Sequence, residues 1–485
     1  MSVSSSLSNA LSGLTASARR AEVVSSNISN ALTEGYGRRE LNLSSRSLAG
    51  IGAGVRVDGV SRTVDDGILS DRRLADARLG DAETRAGFFR HLESTIGSPD
   101  VAGSLNDRFA KFEAALVEAV SRPDSDTRLR NALLAANGLS GQINKISDTI
   151  QSSRQTADRT IAQQVTQLND TLAKVEDLNV SIVKNQAAGR DATALMDHRQ
   201  RLIDQISEIV PIRKVMREDN KIALFSEGGA VLLDGKPARF SFNPVTAITP
   251  DTTLQSSALS GLVLNGMPIS TASDESLLAG GALIANFAVR DELSVQAQTQ
   301  IDAVARDLVE RFQSPAVDPT LTATAAGLFT DDGSFFDAAN EIGLAQRLNI
   351  NAAVDPAQGG TVSLLRDGIG ATTPGDVGDA TLLLKLRAAL SEPRVPASGG
   401  ISTAARSAIG IATDFLSAVG AERQEAEAEN SFAQAQASSL RELELRGGVD
   451  TDHEMQQLLL IENAYAANAR VIQTIDEMIN SLLGI

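Results

Sequence analysis

Few side chains in this sequence could do chemistry. It has three histidines, His91, His198 and His453, no cysteine and no tryptophan. Without cysteine there is no thiol nucleophile, no disulfide framework and no thiolate metal site. His198 follows Asp197, and His453 lies between Asp452 and Glu454, but no second histidine stands at ligand spacing. Such isolated histidines read as solvated surface residues. Asp450, Asp452 and Glu454 stand at a helix start, where carboxylates complement the positive end of the helix dipole. Gly50-Ile51-Gly52-Ala53-Gly54 lacks the spacing of a dinucleotide loop and leads into a strand. Gly235-Lys236 is followed by Pro237, where a phosphate loop needs Ser or Thr, and Asp331-Asp332-Gly333 is a turn. No serine occupies a glycine-flanked nucleophile elbow. The expectation is a protein with no catalytic residues, no metal and no cofactor, and therefore not an enzyme.

What remains is architecture. At 485 residues the chain is too long for one hydrophobic core. Its 42% apolar and 22% charged residues are those of a globular protein. A formal charge of −17 repels phosphate backbones, so nucleic acid is not an expected partner. No run of apolar residues is long enough to insert in a membrane. Met1 to Ala18 carries no charge, and Arg19 and Arg20 follow as a solvated helix face. A secretory signal has its basic residues first, so a chain exported from the cell would use another route.

Both ends carry a helix-packing pattern. Val3, Leu7, Ala10, Leu14, Ser17, Ala21, Val24, Ile28 and Ala31 step by four and three, with Leu11 widening the stripe. Leu458, Ile461, Tyr465, Asn468, Ile472, Ile475, Ile479 and Leu482 step likewise to the chain end, with Asn468 as a register-fixing amide. Each helix would run about 45 Å at 1.5 Å per residue. Paired as a two-stranded coiled coil with small seam residues, they would be marginal alone and would gain order from neighbouring copies.

The interior reads as helix from Thr127 to about Gln186, with Ile143, Ile146, Ile150, Ile161, Val165, Leu168, Leu172, Val175 and Ile182 on one stripe. A second helix begins near Leu195 and stops before Pro211. From Ile212 to Gly280 the period is two, with turns at Asp219-Asn220, Gly228-Gly229, Asp234-Gly235 and Asn265-Gly266, which predicts an inserted all-β domain. Helix resumes from Leu283 to about Phe312 and again from about Ser402 to Arg446. Between Ser314 and Gly400 only Thr381 to Leu390 reads clearly as helix.

Specific residues carry a family resemblance. Asn27-Ile28-Ser29-Asn30-Ala31-Leu32-Thr33-Glu34-Gly35-Tyr36-Gly37-Arg38 resembles the turn signature of bacterial flagellar rod, hook and hook-associated proteins, with Glu34 where that signature usually has proline. Asn30, Thr33, Gly35, Tyr36 and Arg38 are its signature positions here. Asn463 to Thr474 is similar to the family's closing helix, while Gly52 to Arg62, Asp65 to Arg73 and the Leu195 to Ile203 segment are similar to the hook-associated branch, which the long helical interior also favours over hook or rod proteins.

The resemblance implies a mainly α chain with an inserted all-β domain. Its N- and C-terminal helices (1–40 and 447–485) pair as a coiled-coil polymerisation domain, with an inner helical bundle (41–211 and 281–446) and the β domain (212–280) at the far end. It implies a secreted structural subunit between hook and filament, exported by the flagellar type III route with an export chaperone. That subunit assembles with itself in a ring or helical array, beside the hook protein and a second junction protein. Val3, Leu7, Leu11, Leu14, Val24, Ile28 and the C-terminal seam would be its assembly interface. A cytoplasmic coiled-coil scaffold is the reading outside this class; it gives no reason for the uncharged start, the turn signature and the β insertion in that order.

Overall fold

A computed structural model describes residues 3–48, 51–272 and 275–483. Helix α1 (Val3–Ser29) is followed by a tight turn and an antiparallel hairpin, β1 (Arg38–Leu48) and β2 (Ile51–Thr63). The valines of β2 and the alternating leucines of β1 suit a pleated ribbon, and this ribbon lies along α1. The sequence reading placed residues from 41 onward in the inner helical domain and read a strand after Gly50, but did not pair it into a hairpin. Its Gly50 lies outside the described residues.

Four helices follow: α2 (Asp66–Ile96), α3 (Leu105–Ser121), α4 (Asp126–Ala187) and α5 (Thr193–Ile209). Asp65 caps α2, its carboxylate accepting from the backbone N–H of Gly67 and Ile68. Helix α4 runs 62 residues without a break, as its apolar stripe predicts. Helix α3 was not foreseen.

The period-two region forms two small antiparallel sheets. The first takes β3 (Ile212–Met216), β4 (Ile222–Ser226), β5 (Val231–Asp234) and β6 (Lys236–Pro237). The second takes β7 (Phe240–Ser241), β8 (Leu262–Leu264) and β9 (Met267–Ile269). Helix α6 (Ala282–Ala288) passes through a π-helical turn, Val289–Leu293, into α7 (Ser294–Phe312). The stretch that follows is an irregular lobe. It holds β10 (Phe329–Asp331), α8 (Leu344–Arg347), β11 (Leu348–Ile350), α9 (Leu364–Asp367) and α10 (Thr381–Ser391). Helix α11 (Ala408–Gly447) returns along α2, and α12 (Thr451–Leu483) packs on α1.

Two apolar cores meet along α4. One gathers α2, α3, the first half of α4, α7, the irregular lobe and α11, with Phe329 edge-on to both Phe112 and Phe312 at its centre. The other gathers the second half of α4, α5, α6 and the strands. The α4 stripe passes from the first core at Ala157 to the second at Ile161. Charged side chains sit at that crossing. Arg290, fully buried in the π-helical turn, pairs with Asp158 at 2.7 Å and with Asp291 at 2.8 Å. Arg154 donates to the carbonyls of Arg290, Thr249 and Thr252, tying the loop after β7 to α4. Each buried charge thus has the partners that burial demands.

Side-chain brackets hold the irregular lobe. Buried Asp302 of α7 accepts from the backbone N–H of Gly343 and Ala345, both at 2.8 Å, and from Gln298. Burial pushes its carboxyl up to about 6, against those hydrogen bonds. Arg311 donates to the carbonyls of Ala389, Glu392 and Arg406. These contacts are polar and specific to loop geometry, so this lobe has little periodic signal in its sequence.

Candidate functional site

The turn after α1, the base of the hairpin and the start of α12 converge on one buried polar joint. Asn27, 1% exposed, makes all four hydrogen bonds open to an amide. Its Nδ2 donates to the Arg39 carbonyl at 2.9 Å and to Glu454 Oε2 at 3.1 Å. Its Oδ1 accepts from the Tyr36 hydroxyl at 2.9 Å and from the Arg39 N–H at 3.0 Å. Glu454, equally buried, also accepts from Arg38 Nε at 2.7 Å. Burial opposes the Arg38 charge, but the hydrogen bond and charge of Glu454, with Glu40 beside them, hold its pKa above the usual value. Burial likewise raises the Tyr36 phenol. The guanidinium of Arg39 lies over the Tyr36 ring at 4.9 Å.

A second carboxylate closes the joint from the inner side. Asp197 of α5 accepts from the Gly37 N–H at 3.0 Å, Arg62 Nε at 2.6 Å and Arg39 Nη2 at 3.0 Å. Arg62 also donates to Gln200 and to the Gly35 carbonyl. Gly35 has φ 74°, a left-handed conformation that disfavours a side chain, and a Cβ there would meet Arg201 at 2.6 Å. The remaining signature residues build the turn. Asn30 donates to the Ser26 carbonyl, Thr33 Oγ1 to Asn30, and the Tyr36 N–H to the Thr33 carbonyl.

Beside it, Arg72 of α2 pairs with Asp76, Asp204 and Glu444 at 2.6–2.8 Å. Arg73 pairs with Asp204, and Arg441 with Asp76. Burial raises the Glu444 carboxyl while Arg72 draws it down. Helices α2, α5 and α11 are therefore clamped together where the two chain crossings enter the body.

The seam residues divide by burial. Val24, Ile461 and Ile475 are buried, while Val3, Leu14, Ile28, Leu458, Asn468, Ile472 and Ile479 are half-buried. Leu7, Leu11 and Tyr465 are exposed, because one helix partner covers only one strip of each stripe. The Leu482 side chain lies outside the described residues. Asn468 abuts Gly13, where a Cβ would lie 2.8 Å from its Oδ1, and Arg20 donates to Gln457 at 3.1 Å.

One sequence reading is incomplete. Glu454 stands in the first turn of α12 as read, but its carboxylate is buried between Asn27 and Arg38, and Asp450 caps the helix. Asp197, read only as a neighbour of His198, is the inner anchor, and His198 itself is exposed. Asn27, Arg39, Arg62 and Gln200 were given no role. An amide in the turn signature and two successive arginines after it were the available signals. Among the described residues no cluster of acidic or histidine side chains could hold a metal.

Comparison with known proteins covers the same segments. The family model of the flagellar hook-associated protein FlgK helical domain matches residues 89–315. That of the flagella basal body rod protein matches 7–36, and that of the flagellar basal body rod FlgEFG protein C-terminal matches 447–485. Flagellar hook-associated protein 1 of Salmonella typhimurium is 28% identical over 245 residues, and that of Escherichia coli 25%. Those matches cover 49% of this chain and 44% of each relative, so the chain spans less than half the length of these relatives. The Bacillus subtilis hook-associated protein 1 is 20% identical, covering 98% of this chain and 97% of its own. The solved flagellar hook junction protein FlgK from Burkholderia pseudomallei aligns with a TM-score of 0.44 at 17% identity, over 54% of this chain and 46% of that one. The turn half of the joint lies in or beside the first terminal match and Glu454 in the second. Through these matches the chain is similar to flagellar rod, hook and hook-associated proteins, and among them to hook-associated protein 1.

Proposed function

We propose that this chain is a structural subunit of the bacterial flagellum that joins hook to filament and assembles through its terminal helices after export. The observation that carries the assembly part is the incomplete burial of the terminal pair. Helices α1 and α12 bury Ala10, Ala16, Val24, Ile461 and Ile475 against each other and the hairpin, yet leave Leu7, Leu11, Leu459, Leu460, Val471 and Met478 exposed. Each such side chain stabilises an assembly by roughly 1.5–3 kcal/mol when fully covered. In this reading the pair is a two-stranded coiled coil whose outer faces are covered by the same helices of neighbouring copies, in a ring or helical array. The inner helices stand outside it and the β insertion lies farthest away.

The hook protein on one side, a second junction protein on the other, an export chaperone and the flagellar type III route complete the proposal. The long helical match over residues 89–315 favours the junction over a hook or rod subunit. The role is mechanical, with no chemical step.

Replacing Ile472, Ile475 and Ile479 together by Asp tests this. Burying unpaired carboxylates costs several kcal/mol, more than a narrow helix pair can absorb. The variant should be made, soluble and fully helical in its inner part, but absent from flagella. Cells would carry hooks without filaments and release flagellin into the medium. Normal filaments built with the triple variant would rule out the terminal seam as the assembly surface.

A further inference from the structure

We propose that Arg154 of α4 and Asp302 of α7 are coupled through two glutamine amides, and that this relay makes the loop after β7 and the turn that opens α8 loosen together. Each charge holds one of these segments. Arg154 donates to the carbonyls of Thr249 and Thr252, at 3.1 and 2.6 Å. Asp302 accepts from the N–H groups of Gly343 and Ala345, both at 2.8 Å. Both side chains are buried, Arg154 at 1% and Asp302 at 2% exposure. Among the described residues neither forms a direct ion pair. The oxygens around Arg154 belong to carbonyls and an amide, and the donors to Asp302 are N–H groups.

The space between the two charges is bridged. Arg154 Nη1 donates to Gln151 Oε1 at 3.1 Å, Gln151 Nε2 to Gln298 Oε1 at 2.9 Å, and Gln298 Nε2 to Asp302 Oδ1 at 3.0 Å. A guanidinium can only donate and an ionised carboxylate can only accept, so the two ends dictate which way each amide faces. The amide dipoles are therefore aligned head to tail from cation to anion, the arrangement in which each hydrogen bond strengthens the next. Ser147 Oγ donates to Gln298 Oε1 at 3.0 Å and fills that oxygen's second lone pair.

The charged ends need such a bridge. Burial lowers the Arg154 pKa and raises the Asp302 carboxyl to about 6, so each gains from a neighbour that spreads its charge. Asp251, Asp291 and Arg290 also face Arg154, and Arg347 faces Asp302. The two held segments meet directly as well, since a Cβ on Gly343 would lie 3.1 Å from Pro250 Cγ. A test must therefore separate the relay from that contact.

Gln151→Met removes the middle of the relay and leaves both ends their own partners. Arg154 keeps the carbonyls of Arg290, Thr249 and Thr252, and Gln298 Oε1 keeps Ser147. Two readouts on the purified full chain apply: hydrogen exchange of peptides covering Thr252 and Ala345, and the Asp302 carboxyl titration by NMR. In Gln151→Met both peptides should exchange about fivefold faster, with α5 as the reference for any general loss of stability. The Asp302 midpoint should rise, because the donors to its ionised form are weakened. Arg154→Lys, made alone and on Gln151→Met, completes a double-mutant cycle. Alone it should speed exchange at Ala345; with Gln151 already replaced it should add nothing there. An equal effect in both backgrounds would mean that the coupling runs through Pro250, and the relay is overturned. Unchanged exchange at Ala345 and an unchanged Asp302 midpoint in Gln151→Met overturn it too. Should Arg154→Lys fail to fold, the Gln151→Met readouts decide alone.

Discussion

Helices α4 and α12 are both long, amphipathic and built on similar apolar spacing, but their surroundings differ. Along α4 every isoleucine of the stripe from Ile143 to Ile182 is fully buried, because α3, α5, α7 and the strands surround it. Along α12, among the described apolar residues, only Ile461 and Ile475 are buried, each 5% exposed, with α1 as the main cover. The same pattern therefore has two outcomes, set by how many neighbours the chain itself supplies. Periodicity specifies a sticky face; it does not say whether the partner is in the same molecule.

The sharpest test of this contrast is hydrogen exchange on dilute monomer. Amides of α4 should exchange only on global unfolding, whereas α1 and α12 should exchange orders of magnitude faster. Equal protection in both regions would remove the distinction. Next is Phe112→Ala in the aromatic centre of the first core. It should cost about 3–5 kcal/mol, read as a lower denaturation midpoint, while leaving exchange in α1 and α12 unchanged.

At the joint, Asn27→Ala leaves Glu454, the Tyr36 hydroxyl and the Arg39 backbone short of a partner. It should cost about 1–3 kcal/mol and release α12 first, visible as faster exchange from Glu454 onward with the inner helices intact. The smallest effect belongs to pH. Asp302 has its carboxyl raised from 3.8 to about 6 by burial, so ionisation penalises the fold. That penalty is fully present above about pH 6 and is relieved as pH falls toward 3.8. Between pH 7 and pH 5 this group should add on the order of 1 kcal/mol of stability to the native chain, a gain missing in Asp302→Asn. An identical pH profile for both proteins would mean that Asp302 titrates normally.

The sequence could be read where one physical rule dominated. The α4 stripe, the stop at Pro211 and the turn pairs between Ile212 and Gly280 each follow from periodicity or backbone restriction, and the elements appear where those signals lie. The lobe after Phe312 could not be read, since it is held by carbonyls and N–H groups meeting single side chains such as Asp302 and Arg311. The hairpin was hidden because glycines at 52, 54 and 59 interrupt its alternation. In the joint, the turn residues Gly35 and Tyr36 were legible from local chemistry. Glu454 and Asp197 were not, because their partners lie far away in sequence and a carboxylate near a helix start has an adequate local explanation. Asn468 was expected to fix register; it lies against Gly13 while its amide donates to the Ala464 carbonyl of its own helix.

The hydrogen bond between Asn27 and Glu454 joins residues 427 positions apart. Closing a loop of that length costs about 5 kcal/mol of chain entropy before any contact offsets it. Helical hairpins such as α3–α4 close over short connections and form early, whatever order the chain emerges in. The joint therefore draws on both ends of the chain, and a chain cut before Glu454 leaves the Asn27 amide and the Arg38 guanidinium without that shared partner.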